Sequence, residues 1–561
     1  MTMRLLFICL IYFGLFAASV RGLSATISEI VYVQSPVDSD HDGRLDRIYV
    51  KIERPSKNVK LPSIFSISPY GSINSSAENH DVDLTRLPQD QAEQLSKNLE
   101  LNRQILSNKN FTVQVTQDAL TRGYASVTAD SVGTGKSEGC PTVGDNSETL
   151  AGKAVIDWLN GHAQATYANG SPAKASWANG SVGMTGVSYN GTLPNMIATT
   201  GVQGLKAIVP IAAISNWYNY YRSNGLVVGP GGYIGEDADV LGIYVLRKGR
   251  CVKEIQEMAE TMGREHGDYT SFWQTRNYLP KASATRAAVF IIHGQNDWNV
   301  KQRHAIEWWE ALEGVVPRRM WLHKGGHGGA ARPDANDQIW AWFDHYVKGV
   351  DNGVELRPVI EVQDFGGVWK PQSKWPHEAT ESKTLFLNPN LGLSESPSNS
   401  ESNMNITDSG RVTKLSSLIV NPATPSGARV ALLSDRLNSA QLLSGTSKLQ
   451  LLLSVTNRRA ANITAAIVDY DSAGKGTIVT RGWVDPQNHL NIEAGELLDK
   501  TKDYEIRFEL EPKQFTFAEG HRIGVILAST DYEYTIRPVA GTEISFRLGK
   551  NSFIEMNLSE Q

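Results

Sequence analysis

Gly186-Val187-Ser188-Tyr189-Asn190-Gly191 stands between an apolar stretch and a segment with helical spacing. This is the setting of a nucleophilic serine. A serine hydroxyl attacks poorly unless a base takes its proton, and a sharp strand-to-helix turn holds it clear of its neighbours. The turn crowds the backbone, so small residues must flank it. The usual pattern is G-x-S-x-G; here Asn190 is fifth and the closing glycine, Gly191, is sixth. On such a scaffold the acid and the histidine follow the serine in chain order, at the ends of later strands. Asp297 follows AVFIIHGQN, and His327 lies in LHKGGHGG, on the loop after the next strand. The order Ser188, Asp297, His327 spells acyl transfer through a covalent intermediate. His304, in a helical segment, and His323, within a strand, read as packed or surface histidines. A developing oxyanion also needs donors. The Tyr189 backbone N–H is one. The Tyr70 hydroxyl, ending the strand SIFSISPY, is a second candidate, although spacing alone would make Tyr70 a core aromatic.

Other patterns invite different chemistry. Gly133-Thr134-Gly135-Lys136-Ser137 resembles the end of a phosphate-binding loop, but the position of its first glycine is Asp130, which would repel phosphate. Asp38, Asp40, Asp42 and Asp46 alternate around Gly43 in the manner of a calcium loop. Tyr49 replaces the closing glutamate, and a solvated hairpin turn explains the segment slightly better. Structural calcium is thus a secondary expectation, and the serine chemistry itself calls for no cofactor. Cys140 and Cys251 could pair, but the sequence does not show that they meet. Neither belongs to a Cys/His cluster of the kind that holds zinc.

The elements needed to position these residues are visible. Strand-like and helix-like segments alternate from residue 23 to 353, which predicts an α/β fold with a mostly parallel sheet covered on both faces. Residues 216–285, aromatic and then helical, read as a cap inserted into this α/β-hydrolase-like core. From 354 to 561 the segments are short and alternating, predicting an all-β jelly roll or sandwich. Residues 1–22 carry Arg4, an apolar run from Leu5 to Ala18 and small residues after it. That is a signal-peptide pattern, with a run short of the ~20 residues a bilayer span needs. It predicts a secreted or periplasmic protein with no stable membrane anchor. Sequons at Asn74, Asn110, Asn169, Asn179, Asn405, Asn462 and Asn557 matter only in a host that glycosylates exports. The 561 residues are ordinary for globular proteins, with a net charge of −5 and no basic stripe, so nucleic acid is not an expected partner.

Several long motifs in one order resemble the Xaa-Pro dipeptidyl-peptidase family of serine peptidases, whose relatives include cocaine-esterase-like and acylase enzymes. They are DSDHDGRLDRIYV, SPYGS, DSVGTGKSEG, GMTGVSYNGT, ISNWYNYYRSNGLV, GQNDWNV and GGHGG. RGWVDPQNH and EGHRIGVILASTDYEYT follow in the second domain. The resemblance implies an α/β-hydrolase core, a helical cap and a C-terminal jelly roll. It implies a triad of Ser188, Asp297 and His327, with Tyr70 and Tyr189 at the oxyanion. It further implies that Trp217 and Tyr220 cradle a proline ring, and that Glu236 and Asn299 hold the substrate's free amino terminus. The expected substrates are peptides with a penultimate proline. The rival expectations are an esterase or acylase with the same triad, and a non-catalytic binding protein. Nothing in the sequence corresponds to the large N-terminal helical domain of the bacterial cytoplasmic peptidases, so their dimerisation is not carried over.

Overall fold

The computed structural model describes residues 26–55, 59–73, 77–80, 110–247, 251–536 and 540–561. The expected leader, residues 1–22, lies outside them. Among the described residues no helix is long and apolar enough to cross a membrane.

An 11-stranded sheet organises the first part of the chain. In chain order its strands are β1 (Ile27–Gln34), β2 (Arg47–Arg54), β3 (Leu61–Ser68), β4 (Ala125–Asp130), β5 (Ala165–Thr166), β6 (Ala178–Val187), β7 (Leu205–Ile211), β8 (Ala288–Gly294), β9 (Arg318–His323), β10 (Ile360–Gln363) and β11 (Trp369–Gln372). Across the sheet they run β11-β10-β9-β8-β7-β6-β3-β4-β2-β1-β5. The pairs from β10 through to β4 are parallel, and the outer pairs at both edges are antiparallel. The central strands read as continuous apolar runs because both their faces are covered: every residue of β8 is buried. Helices Asn146–Leu159 and Tyr189–Ala198 contribute to the core on one face, and Ala335–Lys348 to the core on the other. The sheet continues past Gly353, where the change of character was expected. VIEVQDFGGVWKPQ forms a hairpin that adds β10 parallel to β9 and folds β11 back against it.

The cap leaves the sheet after β7 and returns at β8. Its helices include Trp217–Tyr221, Ala238–Val245 and Val252–Thr261. A disulfide joins Cys140, on the loop after β4, to Cys251 at the start of the last of these, across 111 residues.

The C-terminal part is all-β, with an eight-stranded and a four-stranded sheet. Leu449, Leu451, Leu453 and Val455 of one strand and Ile463, Ala465 and Ile467 of the next point to a common core with a period of two. The last strand, Glu543–Glu560, pairs with four others and shifts register near Gly549, so one segment serves two stretches of sheet.

Candidate active site

Strand β6 ends at Val187 and the next helix begins at Tyr189, so Ser188 alone makes the turn. Its backbone sits at φ 64°, ψ −129°, a conformation that residues with a Cβ adopt only when their surroundings over-determine it. Here they do. Ser188 N–H donates to the Ile211 carbonyl at 2.9 Å, and its own carbonyl accepts from the Gly191 and Thr192 N–H groups at 2.9 Å each. The displaced glycine of the motif has a direct explanation. A Cβ on Gly191 would stand 2.7 Å from the carbonyl oxygens of Gly186 and Ile211. The tight crossing therefore falls three residues after the serine, and the position two after it can hold Asn190.

Asp297 and His327 reach the same edge of the sheet, the carboxyl ends of the parallel strands, from the loops after β8 and β9. The Asp297 side chain is fully buried. Its Oδ1 accepts from the Asn299 and Val300 N–H groups at 3.0 and 2.9 Å, and its Oδ2 lies 2.7 Å from His327 Nδ1. Burial alone would lower the His327 pKa, but the Asp297 charge and hydrogen bond outweigh it and hold the imidazole above its ordinary value. His327 Nε2 is enclosed without a hydrogen-bond partner among the described residues. The ring is thus oriented with Nδ1 on the acid and Nε2 left for another group. The two loops touch at Gly294, where a Cβ would lie 2.2 Å from the Gly326 carbonyl oxygen. His323, buried, shapes the second loop: its Nδ1 accepts from Gly325 N–H at 3.2 Å and its Nε2 donates to the Gly328 carbonyl at 3.1 Å. His304 is wholly buried, with Nδ1 3.4 Å from the Ser215 amide. Both are packed histidines.

Tyr70 packs edge-to-face on Tyr189, their ring centroids 6.2 Å apart. Burial and the nearby Glu236 push its hydroxyl pKa far up, so it stays a neutral donor. Tyr189 is braced by its own hydroxyl, which donates to Glu148 Oε2 at 2.7 Å. The same oxygen accepts from Gly144 N–H at 2.7 Å, and Ser131 donates to Oε1.

Glu236 is buried, and Tyr221 donates to its Oε1 at 3.0 Å. Tyr220 donates to Asn299 Oδ1 at 2.8 Å, tying the cap to the loop that carries Asp297. Trp217 has no exposed surface. Its Nε1 donates to Tyr278 at 2.7 Å, while its ring stacks on Tyr221 and meets Tyr220 edge-on. It braces the aromatic wall, whereas Tyr220 keeps a small exposed edge.

Residues 42–329 match the X-Pro dipeptidyl-peptidase (S15 family), and residues 352–558 match the X-Pro dipeptidyl-peptidase C-terminal non-catalytic domain. A Bacillus anthracis relative is 42% identical over 540 residues, covering 95% of this chain and 88% of its own. The chain belongs to the Xaa-Pro dipeptidyl-peptidase family. Another member, the Xaa-Pro dipeptidyl-peptidase of Ligilactobacillus salivarius, is 31% identical over 628 residues, covering 96% of this chain and 78% of its own. Among solved structures, a CocE/NonD family hydrolase from Staphylococcus aureus superposes with a TM-score of 0.69 at 15% identity, covering 95% of this chain and 96% of that one. The family's α/β-hydrolase fold is therefore shared well beyond recognisable sequence.

Some supports of this family site are invisible in the motifs. His293, fully buried, donates from Nε2 to the Val300 carbonyl at 2.8 Å, and its ring lies 3.7 Å from Asp297 Oδ2. Glu148 acts on Tyr189 from 41 positions away. Neither carries a local signature; a buried acid on an apolar helix face was the one available hint for Glu148.

In the acidic hairpin, three of the four aspartates expected around calcium stand together and the fourth does not. Asp38, Asp40 and Asp42 bring carboxylate oxygens within 4.8 Å of one another. Asp38 is engaged by the Asp42 and Gly43 N–H groups at 3.1 and 3.0 Å. Asp46, the expected fourth ligand, turns inward and accepts from Ser39 N–H and Oγ at 2.8 and 2.7 Å. Calcium takes about six to eight oxygens, of which this turn offers the carboxylates of Asp38, Asp40 and Asp42. In the glycine loop, the Asp130 carboxylate already occupies a loop amide: its Oδ2 accepts from Lys136 N–H at 2.8 Å. A cavity of about 870 Å³ opens by Trp158 and Gly180, at the opposite end of β6 from Ser188, and so plays no part in this site.

Proposed function

We propose that this protein releases Xaa-Pro dipeptides from the free amino termini of peptides, with Ser188 as nucleophile, His327 as base and Asp297 as the acid that orients it. The observation that carries the reading is the Asp297–His327 pair at 2.7 Å on the same sheet edge as the strained Ser188. Ser188 Oγ attacks the carbonyl of the penultimate proline as His327 Nε2 accepts its proton. The resulting oxyanion takes hydrogen bonds from the Tyr189 amide and the Tyr70 hydroxyl. His327 then returns the proton to the leaving amine, and water cleaves the acyl-enzyme by the same route in reverse. Glu236 binds the substrate's ammonium, with Asn299 beside it. Tyr220, backed by Trp217, faces the proline ring. A buried carboxylate is suited to this task because a charged partner replaces the water it has lost.

Export belongs to the same proposal. The leader-like residues 1–22 support it, as does the Cys140–Cys251 bridge, which suits an oxidising compartment.

The test is hydrolysis of Ala-Pro and Gly-Pro chromogenic substrates beside short-chain esters, in wild type and in Glu236→Gln. A hydrogen bond to a charged group contributes about 1.5–3 kcal/mol, so Glu236→Gln should lower kcat/KM for the peptides about 10- to 100-fold. The esters, which lack an ammonium, should be spared. Equal losses on both, or a wild type active on esters alone, would favour an esterase.

A further inference from the structure

The loop that carries Asp297 is gripped from the C-terminal β domain on both sides of the acid. On one side stands Lys513, 2% exposed. Its Nζ donates to the Gln295 carbonyl and to Asn296 Oδ1, at 2.6 Å each. The neighbouring Gln514 N–H donates to Gln295 Oε1 at 3.2 Å. On the other side, Trp298 packs against both Trp483 and Tyr534, with ring centroids 6.1 and 5.9 Å away, and the Arg481 guanidinium lies 4.8 Å from its ring centroid. That aromatic box is itself fixed, since Arg481 and Trp483 both donate to Asp531 Oδ2, at 2.9 and 3.1 Å.

The grip continues to the histidine. Asn296 uses its Oδ1 for Lys513, and its Nδ2 then donates to the Lys324 carbonyl at 2.9 Å. Its backbone N–H donates to the Gly325 carbonyl at 2.9 Å. Both acceptors lie on the loop that delivers His327. A single amide therefore relays the position of Lys513 to both loops whose side chains meet at 2.7 Å.

We propose that Lys513 is a positioning residue for the Asp297–His327 pair, so that the β domain sets the geometry of the catalytic acid and base. The inference rests on the roles given to Asp297 and His327 and not on the identity of the substrate. Without its ammonium donor, the buried Gln295 carbonyl would be left unsatisfied and the half-buried Asn296 Oδ1 would lose its partner, and the loop would shift to recover both bonds.

The test uses the full chain carrying Lys513→Met, which keeps the length of the stem and removes the donors. Steady-state kinetics on an Xaa-Pro chromogenic substrate and on a short-chain ester are read together with the rate of Ser188 labelling by a fluorophosphonate. Displacement of a catalytic group by about 1 Å costs on the order of 100-fold. The expected result is a fall of that order in kcat on any substrate the wild type turns over, with KM held and labelling slowed in parallel. Asn296→Ala should fall in the same sense, and the double variant should be no worse than the worse single, because both act through one relay. Asn488→Ala, which removes a contact between the β domain and the cap at Asp268, should keep wild-type kcat. A folded Lys513→Met enzyme with wild-type kcat and labelling overturns the proposal, and so do fully additive losses in the double variant. Should Lys513→Met fail to fold, Asn296→Ala with unchanged kcat overturns it instead. A wild type that labels and cleaves esters but not Xaa-Pro substrates would refute the substrate assignment and leave this inference to be judged on the ester and labelling arms.

Discussion

Replacing Asp297 by asparagine should cripple the enzyme without disturbing its fold, for a reason written in the hydrogen bonds of the acid. Oδ1 of Asp297 accepts from two backbone N–H groups, and Oδ2 faces His327 Nδ1 at 2.7 Å. An asparagine there has one acceptor oxygen and one NH2 group. Two amides pointing at the Oδ1 side leave no choice: the oxygen must face them, and the NH2 must face His327. Nδ1 then becomes an acceptor, the ring proton moves to Nε2, and the base has nothing with which to take the serine's proton. Loss of the correct tautomer in comparable triads costs about 10⁴-fold in kcat, or about 5 kcal/mol of barrier. The same change removes the charge that holds the His327 pKa up. Catalysis needs neutral His327, so wild-type kcat/KM should fall as pH drops through a pKa above the ordinary ~6.5. In Asp297→Asn the residual activity should show that limb displaced to lower pH. The assay is a pH–rate profile on an Ala-Pro chromogenic substrate, with circular dichroism to confirm the fold. A folded variant that keeps more than about a tenth of wild-type kcat, or an acid limb that stays in place, would refute the argument from orientation.

Two further outcomes follow from the geometry. Tyr70→Phe keeps the ring against Tyr189 but removes the hydroxyl, so kcat should fall about 10²- to 10³-fold, with KM little changed, in the same steady-state assay. Cys251→Ser opens a loop closed across 111 residues. Chain entropy puts the loss at about 4–5 kcal/mol at most, read as a lower midpoint in urea, and reducing agent should do the same to wild type and nothing to the variant.

Much of the site could be read from the residues, because its chemistry is local. The elbow needs Gly186, Ser188 and Gly191 within one turn, and strands β8 and β9 announce the loops of Asp297 and His327 by their apolar runs. Asn190 stands where the usual motif has its closing glycine; the close backbone crossing takes place at Gly191 instead. The features without a local pattern act at a distance. Cys140 and Cys251 meet only because the cap folds back over the loop after β4. Lys513 touches the acid loop from 217 or more positions away, and a lone lysine opening a strand has no pattern to betray it. The hairpin β10–β11 follows the change of character at Gly353 yet pairs with the first sheet, a partnership that a short strand such as IEVQ does not reveal. Asp46 followed the rhythm of its neighbours, yet the fold points it inward to Ser39.

The loop around Glu236 is tied down by several parts of the chain. Gly235 carbonyl accepts from His80 N–H at 2.9 Å, Asn79 Nδ2 donates to the Ile234 carbonyl at 3.0 Å, Gly231 N–H donates to the Trp298 carbonyl at 2.8 Å and Gly229 N–H to the Tyr534 carbonyl at 2.6 Å. If Glu236 receives the amino terminus, these ties make the molecule a ruler whose zero mark cannot slide. The interval from that mark to Ser188 would then be set by the body of the protein, not by the bound peptide. Slackening a tie would show first as a loss of fidelity, with tripeptides appearing among the dipeptides, before it showed as a loss of speed.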